Sequence, residues 1–110
     1  MLVDVAEDRW AQAFLGSAPS DRYTEPALAP KEWWTGLDQL VKDVYFWAGG
    51  GEVLLDGIRE VAEKIQSVHS STVLEISPGS GHEEMIFDVL LGYDKSVSTR
   101  NMEDWLGARL

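Results

Sequence analysis

The segment DVYFWAGGG, residues 43–51, decides the fold: a β-branched and aromatic run is followed by three glycines. Its apolar residues do not alternate with polar ones, which is typical of a strand buried on both faces. Apolar residues then repeat at helical spacing over residues 53–68, and a second β-branched run follows at residues 72–76. Because a helix lies between the two strands, the pattern predicts a crossover connection and a parallel pairing.

Helices are predicted on either side of this unit. Residues 5–15 form the first, with Asp4 as its N-cap and Gly16 as its stop, and its buried stripe comprises Ala6, Trp10, Ala13 and Phe14. Residues 31–40 form a short helix or turn, residues 83–91 a helix, and a last helix begins at about residue 99.

Residues 17–30 contain three of the four prolines and are predicted to form an ordered loop. Tyr23 and Leu28 are expected to be buried there. The tryptophans at positions 33, 34 and 47 are interpreted as core or pocket wall rather than as a stacking site for a cofactor.

The fold class is therefore α/β, in one domain that spans residues 1–110. Two parallel strands with flanking helices leave strand edges and apolar helix faces without partners, whereas parallel sheets are normally covered on both faces. The chain is expected to be the end of a larger α/β sheet. Alone, it should be marginally stable, self-associate or depend on a partner chain.

Charge and composition exclude several function classes. Nineteen acidic residues against nine basic ones give a net charge of −10, which disfavours binding to nucleic acid or to an anionic membrane. There is no cysteine, so thiol catalysis, zinc thiolates and iron–sulfur clusters are excluded, and we expect neither a cofactor nor a metal. Neither a signal peptide nor a membrane span is predicted, which is compatible with the cytoplasm without establishing it.

Two polar side chains follow the predicted strands where catalytic groups of open α/β sheets lie, at the carboxyl ends. Glu52 follows the first strand and His82 the second, so neighbouring parallel strands would bring them within hydrogen-bonding distance. A carboxylate that orients an imidazole is the supporting half of a nucleophilic hydrolase site. Asp56, one helical turn after Glu52, is an alternative acid.

Structural interpretations of these residues remain open. Glu52 and Asp56 would lie in the first turn of a helix, where any acid gains from the macrodipole. His69, in a polar His-Ser-Ser turn at the opposite end of the strands, is expected to be simply solvated.

Three other motifs fail. The dinucleotide fingerprint requires a glycine where Leu54 stands, His82 is not followed by a second histidine at helical spacing, and no P-loop lysine follows the glycines.

Two segments carry Glu52 and His82: AGGGEVLLD, residues 48–56, and GSGH, residues 79–82. His82 lies thirty positions after Glu52. In motif and spacing they resemble the C-terminal third of the α/β-hydrolase fold-3 family, the hormone-sensitive-lipase-like esterases, and the fungal members in particular. The resemblance extends over nearly the whole chain, from residues 20–34 to the closing helix at residues 98–110.

The resemblance implies a C-terminal portion of a carboxylic-ester hydrolase, with a partial α/β-hydrolase sheet and a small-molecule ester as substrate. Glu52 matches the acid that orients the histidine, and His82 matches the general base. Asp56 matches a second acidic position with a structural role. It could compete with Glu52, because the acid that orients the histidine is usually Asp in the wider family and only sometimes Glu.

The family's G-x-S-x-G nucleophile elbow and HGGG-type oxyanion motif do not occur in this sequence, and neither Ser17 nor Ser80 has the elbow spacing. We therefore expect a fragment that is inactive alone and that requires a complementing N-terminal hydrolase segment. The alternative is a non-catalytic α/β binding or regulatory module derived from the same fold.

Overall fold

The computed structural model describes residues 2–110, and their side chains from residue 6 onward. Two strands and five α-helices follow one another with two short 3-10 turns, at Pro26–Leu28 and Lys31–Trp34. In chain order the regular elements are α1 (Leu2–Leu15), α2 (Leu37–Leu40), β1 (Val44–Gly49), α3 (Leu55–Gln66), β2 (Thr72–Ser77), α4 (Glu84–Leu91) and α5 (Val97–Gly107).

The two strands pair in parallel, which confirms the predicted partial α/β fold. Val44 lies opposite Thr72 and Gly49 lies opposite Ser77, so the strands begin and end at the same level. Helix α3 connects them and packs against both. The loops that leave β1 and β2 therefore start side by side, which places the segments carrying Glu52 and His82 at one edge of the sheet.

Helix α5 contacts the sheet through polar and aromatic side chains. The Tyr45 hydroxyl donates to a carboxylate oxygen of Glu75 on the neighbouring strand, and Asn101 Nδ2 donates to the other oxygen at 2.9 Å. The Trp105 ring lies 5.0 Å from the Tyr45 ring, and the Arg109 guanidinium lies 4.0 Å from the Trp105 ring centre. These contacts attach the last helix to the middle of the strands.

The hydrophobic core is small. Among the described residues, the buried apolar ones are Ala29, Ala48, Ala62 and Ile65, none of them aromatic. The accessible surface is 7881 Å², whereas a compact monomer of this mass exposes about 6,100 Å². Much apolar surface that a compact domain would bury thus faces solvent.

The prediction that α1 buries an apolar stripe is wrong. Trp10 and Phe14 are 72% and 75% exposed, and the predicted N-cap Asp4 lies inside the helix, which begins at Leu2. The helical period identified an apolar face correctly, but burial needs a second surface that packs onto it. Gly16 does stop the helix, with a φ of 62° that favours glycine.

The expected burial of the loop side chains is also wrong, for the same reason. Tyr23 is 76% exposed and Leu28 is 54% exposed. Beside this loop runs an open apolar groove of about 440 Å³, whose walls include Phe46 of β1 and Ile58 and Val61 of α3. No helix among the described residues is long and apolar enough to cross a membrane.

Candidate active site at the carboxyl ends of the strands

The glycines after β1 allow two loops to meet backbone to backbone. The Gly50 N–H donates to the Ser77 carbonyl at 2.7 Å, and the Gly51 N–H donates to the Ser80 carbonyl at 3.0 Å. A Cβ at Gly49 would lie 2.2 Å from the Ser80 carbonyl oxygen, closer than any side chain tolerates. The triplet that ends the strand therefore also docks the second loop onto the first.

Glu52 follows this triplet and turns its side chain back into the loop. Only 2% of the side chain is exposed. Its Oε2 accepts a hydrogen bond from the Gly49 N–H at 2.6 Å, and its own N–H donates to the Gly49 carbonyl at 3.2 Å. Because a buried carboxylate needs hydrogen-bond donors, this backbone contact fixes one oxygen and leaves Oε1 to a second partner.

The second partner is His82. It stands in the turn between β2 and α4, and its Nδ1 lies 2.7 Å from Glu52 Oε1. That distance is within the range of about 2.6–3.2 Å expected for an acid that orients a base. The structure thus brings together the two side chains that the sequence predicted to meet, thirty positions apart.

The geometry assigns different tasks to the two ring nitrogens of His82. Since a carboxylate can only accept, Nδ1 carries the proton, and the neutral ring keeps its lone pair on Nε2. The side chain is 57% exposed, and Nε2 makes no hydrogen bond to any described residue. An imidazole held in this tautomer can take a proton from a group that approaches from solvent.

Asp56 does not share this contact. It lies in the first turn of α3, where its side chain is exposed, and His82 bonds to Glu52 rather than to it. An exposed acid at this position interacts favourably with the amino end of the helix, so a structural role accounts for Asp56.

Neither of the two serines considered from the sequence is hydrogen-bonded to His82. Ser80 is buried, and its hydroxyl lies 2.7 Å from the hydroxyl of Ser77. Ser17 is an exposed residue in the turn after α1. The buried hydroxyl pair was not foreseen, although serines at both ends of a Pro-Gly turn could have indicated it.

His69 differs from its prediction. It was expected to be solvated, but it is 4% exposed. Its Nε2 donates to the Val41 carbonyl at 2.8 Å, and its Nδ1 accepts from the Ser71 N–H at 3.2 Å. The imidazole therefore ties the segment before β1 to the segment before β2, so its role is structural and it lies at the opposite end of the sheet from Glu52.

No group of three or more metal-binding side chains occurs in the part of the chain that the structure describes. Comparison with protein-family models, with curated proteins and with solved structures finds no match for this chain. The resemblance to the hormone-sensitive-lipase-like esterases therefore rests on the quoted sequence motifs and their spacing alone.

Proposed function

We propose that this chain is the C-terminal portion of a carboxylic-ester hydrolase, in which Glu52 and His82 are two members of a Ser-His-acid triad. The observation that supports the proposal is the 2.7 Å contact of Glu52 Oε1 with His82 Nδ1, which leaves Nε2 free. The buried carboxylate and the exposed ring edge are what a general base needs: a fixed tautomer and an accessible lone pair.

In the proposed reaction, a serine hydroxyl supplied by a complementing hydrolase segment attacks the ester carbonyl, and Nε2 of His82 takes its proton. The new serine–acyl bond forms, the bond from the acyl carbon to the alcohol oxygen breaks, and the imidazolium returns the proton to the departing alkoxide. Water then attacks the acyl-enzyme by the same proton transfers. Throughout, Glu52 stabilises the positive charge that develops on the His82 ring.

The surface of the chain favours such a complementing segment. The apolar groove beside β1 and the exposed aromatic side chains of α1 lie open. Parallel strands rarely occur as isolated pairs, because their faces and edges need cover. Purified alone, the folded chain should self-associate through these surfaces, as sedimentation would show; a clean monomer in dilute solution would contradict this.

The test is hydrolysis of a chromogenic short-chain ester. The chain alone should show no turnover above background, because neither a nucleophile nor oxyanion donors are in place. Co-expression with an N-terminal segment of this hydrolase family, carrying the serine elbow and the HGGG-type loop, should restore turnover. In that complex, His82→Ala should lower kcat by a factor on the order of a million.

Substitution of the two acids gives a second test with a matched control. Glu52→Ala should lower kcat strongly in the complemented protein, whereas Asp56→Ala should leave it within about twofold, since an exposed acid away from the base acts only through weak electrostatics. A purified one-to-one complex that hydrolyses no ester would contradict the proposal. Turnover by the chain alone that is lost in His82→Ala would instead place the nucleophile within it, and Ser80 would be the first serine to replace.

A second candidate is a non-catalytic α/β binding or regulatory module. It is favoured by one observation, that no hydroxyl among the described residues is hydrogen-bonded to His82 Nε2. The two candidates differ in the same assay, because a module of this kind would bind its partner without any gain of ester hydrolysis and without any effect of His82→Ala.

A further inference from the structure

We propose that Ser77 and Ser80 are positioning residues, whose paired hydroxyls hold the turn at residues 77–81 in the conformation that brings His82 to Glu52. The inference rests on the proposed function, and it adds to that function two residues outside the triad. Neither serine contacts the reacting atoms, so their effect would be exerted through the backbone that carries His82.

Both serines are buried, with 8% and 7% of their surface exposed. Their hydroxyl oxygens are 2.7 Å apart, and the Ser80 N–H also donates to the Ser77 carbonyl at 3.2 Å. A buried hydroxyl without a partner is costly, and here one hydroxyl donates to the other, so neither lacks a partner. The turn is thus closed twice, once by backbone and once by side chains.

This second closure matters because the turn contains two glycines, which have no side chains to restrict the backbone. Gly79 adopts a φ of 72°, and neither it nor Gly81 has any heavy atom within 4 Å of an added Cβ. Two glycines in open space give a chain with many accessible conformations. The hydroxyl pair selects one of them, immediately before His82.

The same two serines connect the turn to the acid. Their carbonyls accept the N–H groups of Gly50 and Gly51, the residues directly before Glu52. A shift of the Ser77–Ser80 pair would therefore displace His82 relative to the glycine loop that holds the Glu52 carboxylate. The hydroxyl pair and the triad contact are parts of one connected set of hydrogen bonds.

The test is the proton signal of His82 Nδ1–H in the folded, ¹⁵N-labelled 110-residue chain. In Ser77→Ala and Ser80→Ala, fewer molecules should have His82 hydrogen-bonded to Glu52. The ratio of molecules with this hydrogen bond to molecules without it should fall about fivefold, the equivalent of one lost hydrogen bond. Ser77→Thr keeps a hydroxyl and should retain the signal. An unchanged His82 signal in both alanine variants would overturn the proposal.

Ser96→Ala separates this effect from a general loss of stability. The Ser96 hydroxyl accepts the Thr99 N–H at 3.2 Å as the N-cap of α5, so its removal also destabilises the chain by the loss of one hydrogen bond. It should leave the His82 signal intact. If Ser96→Ala weakened that signal as much as Ser80→Ala, the serine pair would have no specific positioning role.

Amide exchange in the unaltered chain gives a second measurement that does not depend on a variant folding. The Gly50 and Gly51 amides, held by the two serine carbonyls, should exchange more slowly than those of the exposed Gly79 and Gly81. Rapid exchange at Gly50 and Gly51 would overturn the proposal. Both measurements use the chain alone, so their failure is distinct from a failure of ester hydrolysis in the complemented protein.

Discussion

The two histidines of this chain lie at opposite ends of the same pair of strands and are held in opposite ways. His69, at the amino ends, is buried and uses both ring nitrogens, whereas His82, at the carboxyl ends, is more than half exposed and uses one. A ring with two fixed partners can only connect elements. A ring with one fixed partner and a free lone pair can exchange a proton with another molecule.

The hydrogen bonds also assign opposite tautomers. The Ser71 N–H points at His69 Nδ1, so that ring carries its proton on Nε2. Glu52 accepts from His82 Nδ1, so that ring carries its proton on Nδ1 and leaves Nε2 free. The difference shows that the neighbours of a histidine, more than its position in a polar turn, decide whether it stabilises the fold or serves a site.

The largest effect on stability is expected from Gly49→Ala, at the carboxyl end. A methyl group there would lie 2.2 Å from the Ser80 carbonyl oxygen, which belongs to backbone and cannot rotate away. The free energy of unfolding in urea should fall by about 3 kcal/mol, the upper end for overpacking, and the contact of His82 with Glu52 should be lost.

Gly57→Ala is the matched control for that substitution. Gly57 lies within α3 and has open space around an added Cβ. Since alanine favours helix, this variant should gain about 0.5–1 kcal/mol. If both glycine variants destabilised the chain equally, the close approach of the two loops would be contradicted.

A smaller loss of stability is expected for a substitution at the amino ends of the strands. His69→Ala removes both hydrogen bonds of a buried imidazole, to the Val41 carbonyl and from the Ser71 N–H, and should cost about 2 kcal/mol. His82→Ala should cost less than half as much, because its truncation lets water reach Glu52. Urea titrations of the two variants measure the difference, and an equal or greater loss for His82→Ala would contradict it.

Chemical modification sharpens the same comparison without substitution. Diethyl pyrocarbonate attacks an unprotonated, accessible imidazole nitrogen, which His82 offers at Nε2 and His69 does not. In the folded chain, His82 should react faster than His69 by more than about tenfold, since His69 needs local opening. Mass spectrometry of peptides gives both rates, and urea should abolish the difference.

The last effect is expected between the two ends of the strands and depends on pH. Burial, together with the hydrogen bond to Glu75, raises the pKa of the Tyr45 phenol above its ordinary value of 10.0. Because the folded pKa exceeds the unfolded one, this contribution to stability is complete below about pH 10 and is lost as the pH rises further. Tyr45→Phe should cost about 1 kcal/mol at neutral pH and should flatten that alkaline decline.

Local patterns predicted the central unit well. The β-branched run before Gly49, the helical repeat and the second strand are encoded in consecutive residues, and the parallel pairing follows from their order. The approach of Glu52 to His82 could be predicted because parallel strands end at the same edge of a sheet. These inferences need only local sequence and topology.

Burial could not be predicted in the same way. Trp10 and Tyr23 were expected to be covered because they are large and apolar, yet coverage depends on whether another surface packs there. The prediction for His69 was wrong in the opposite sense. Its polar neighbours in the sequence indicated exposure to solvent, whereas its hydrogen-bond partners are Val41, twenty-eight positions away, and Ser71. Pairwise tertiary contacts of this kind leave no local signal.

The most direct test of the central claim is the tautomeric state of the two histidines, read from long-range ¹H–¹⁵N spectra in solution alkaline enough to keep both rings neutral. We expect the proton on Nδ1 in His82 and on Nε2 in His69. Glu52→Ala should shift the His82 proton to Nε2, and Asp56→Ala should not. A His82 proton on Nε2 in the unaltered chain, or a shift caused by Asp56→Ala alone, would contradict the assignment of Glu52 and His82 as an acid and the base that it orients.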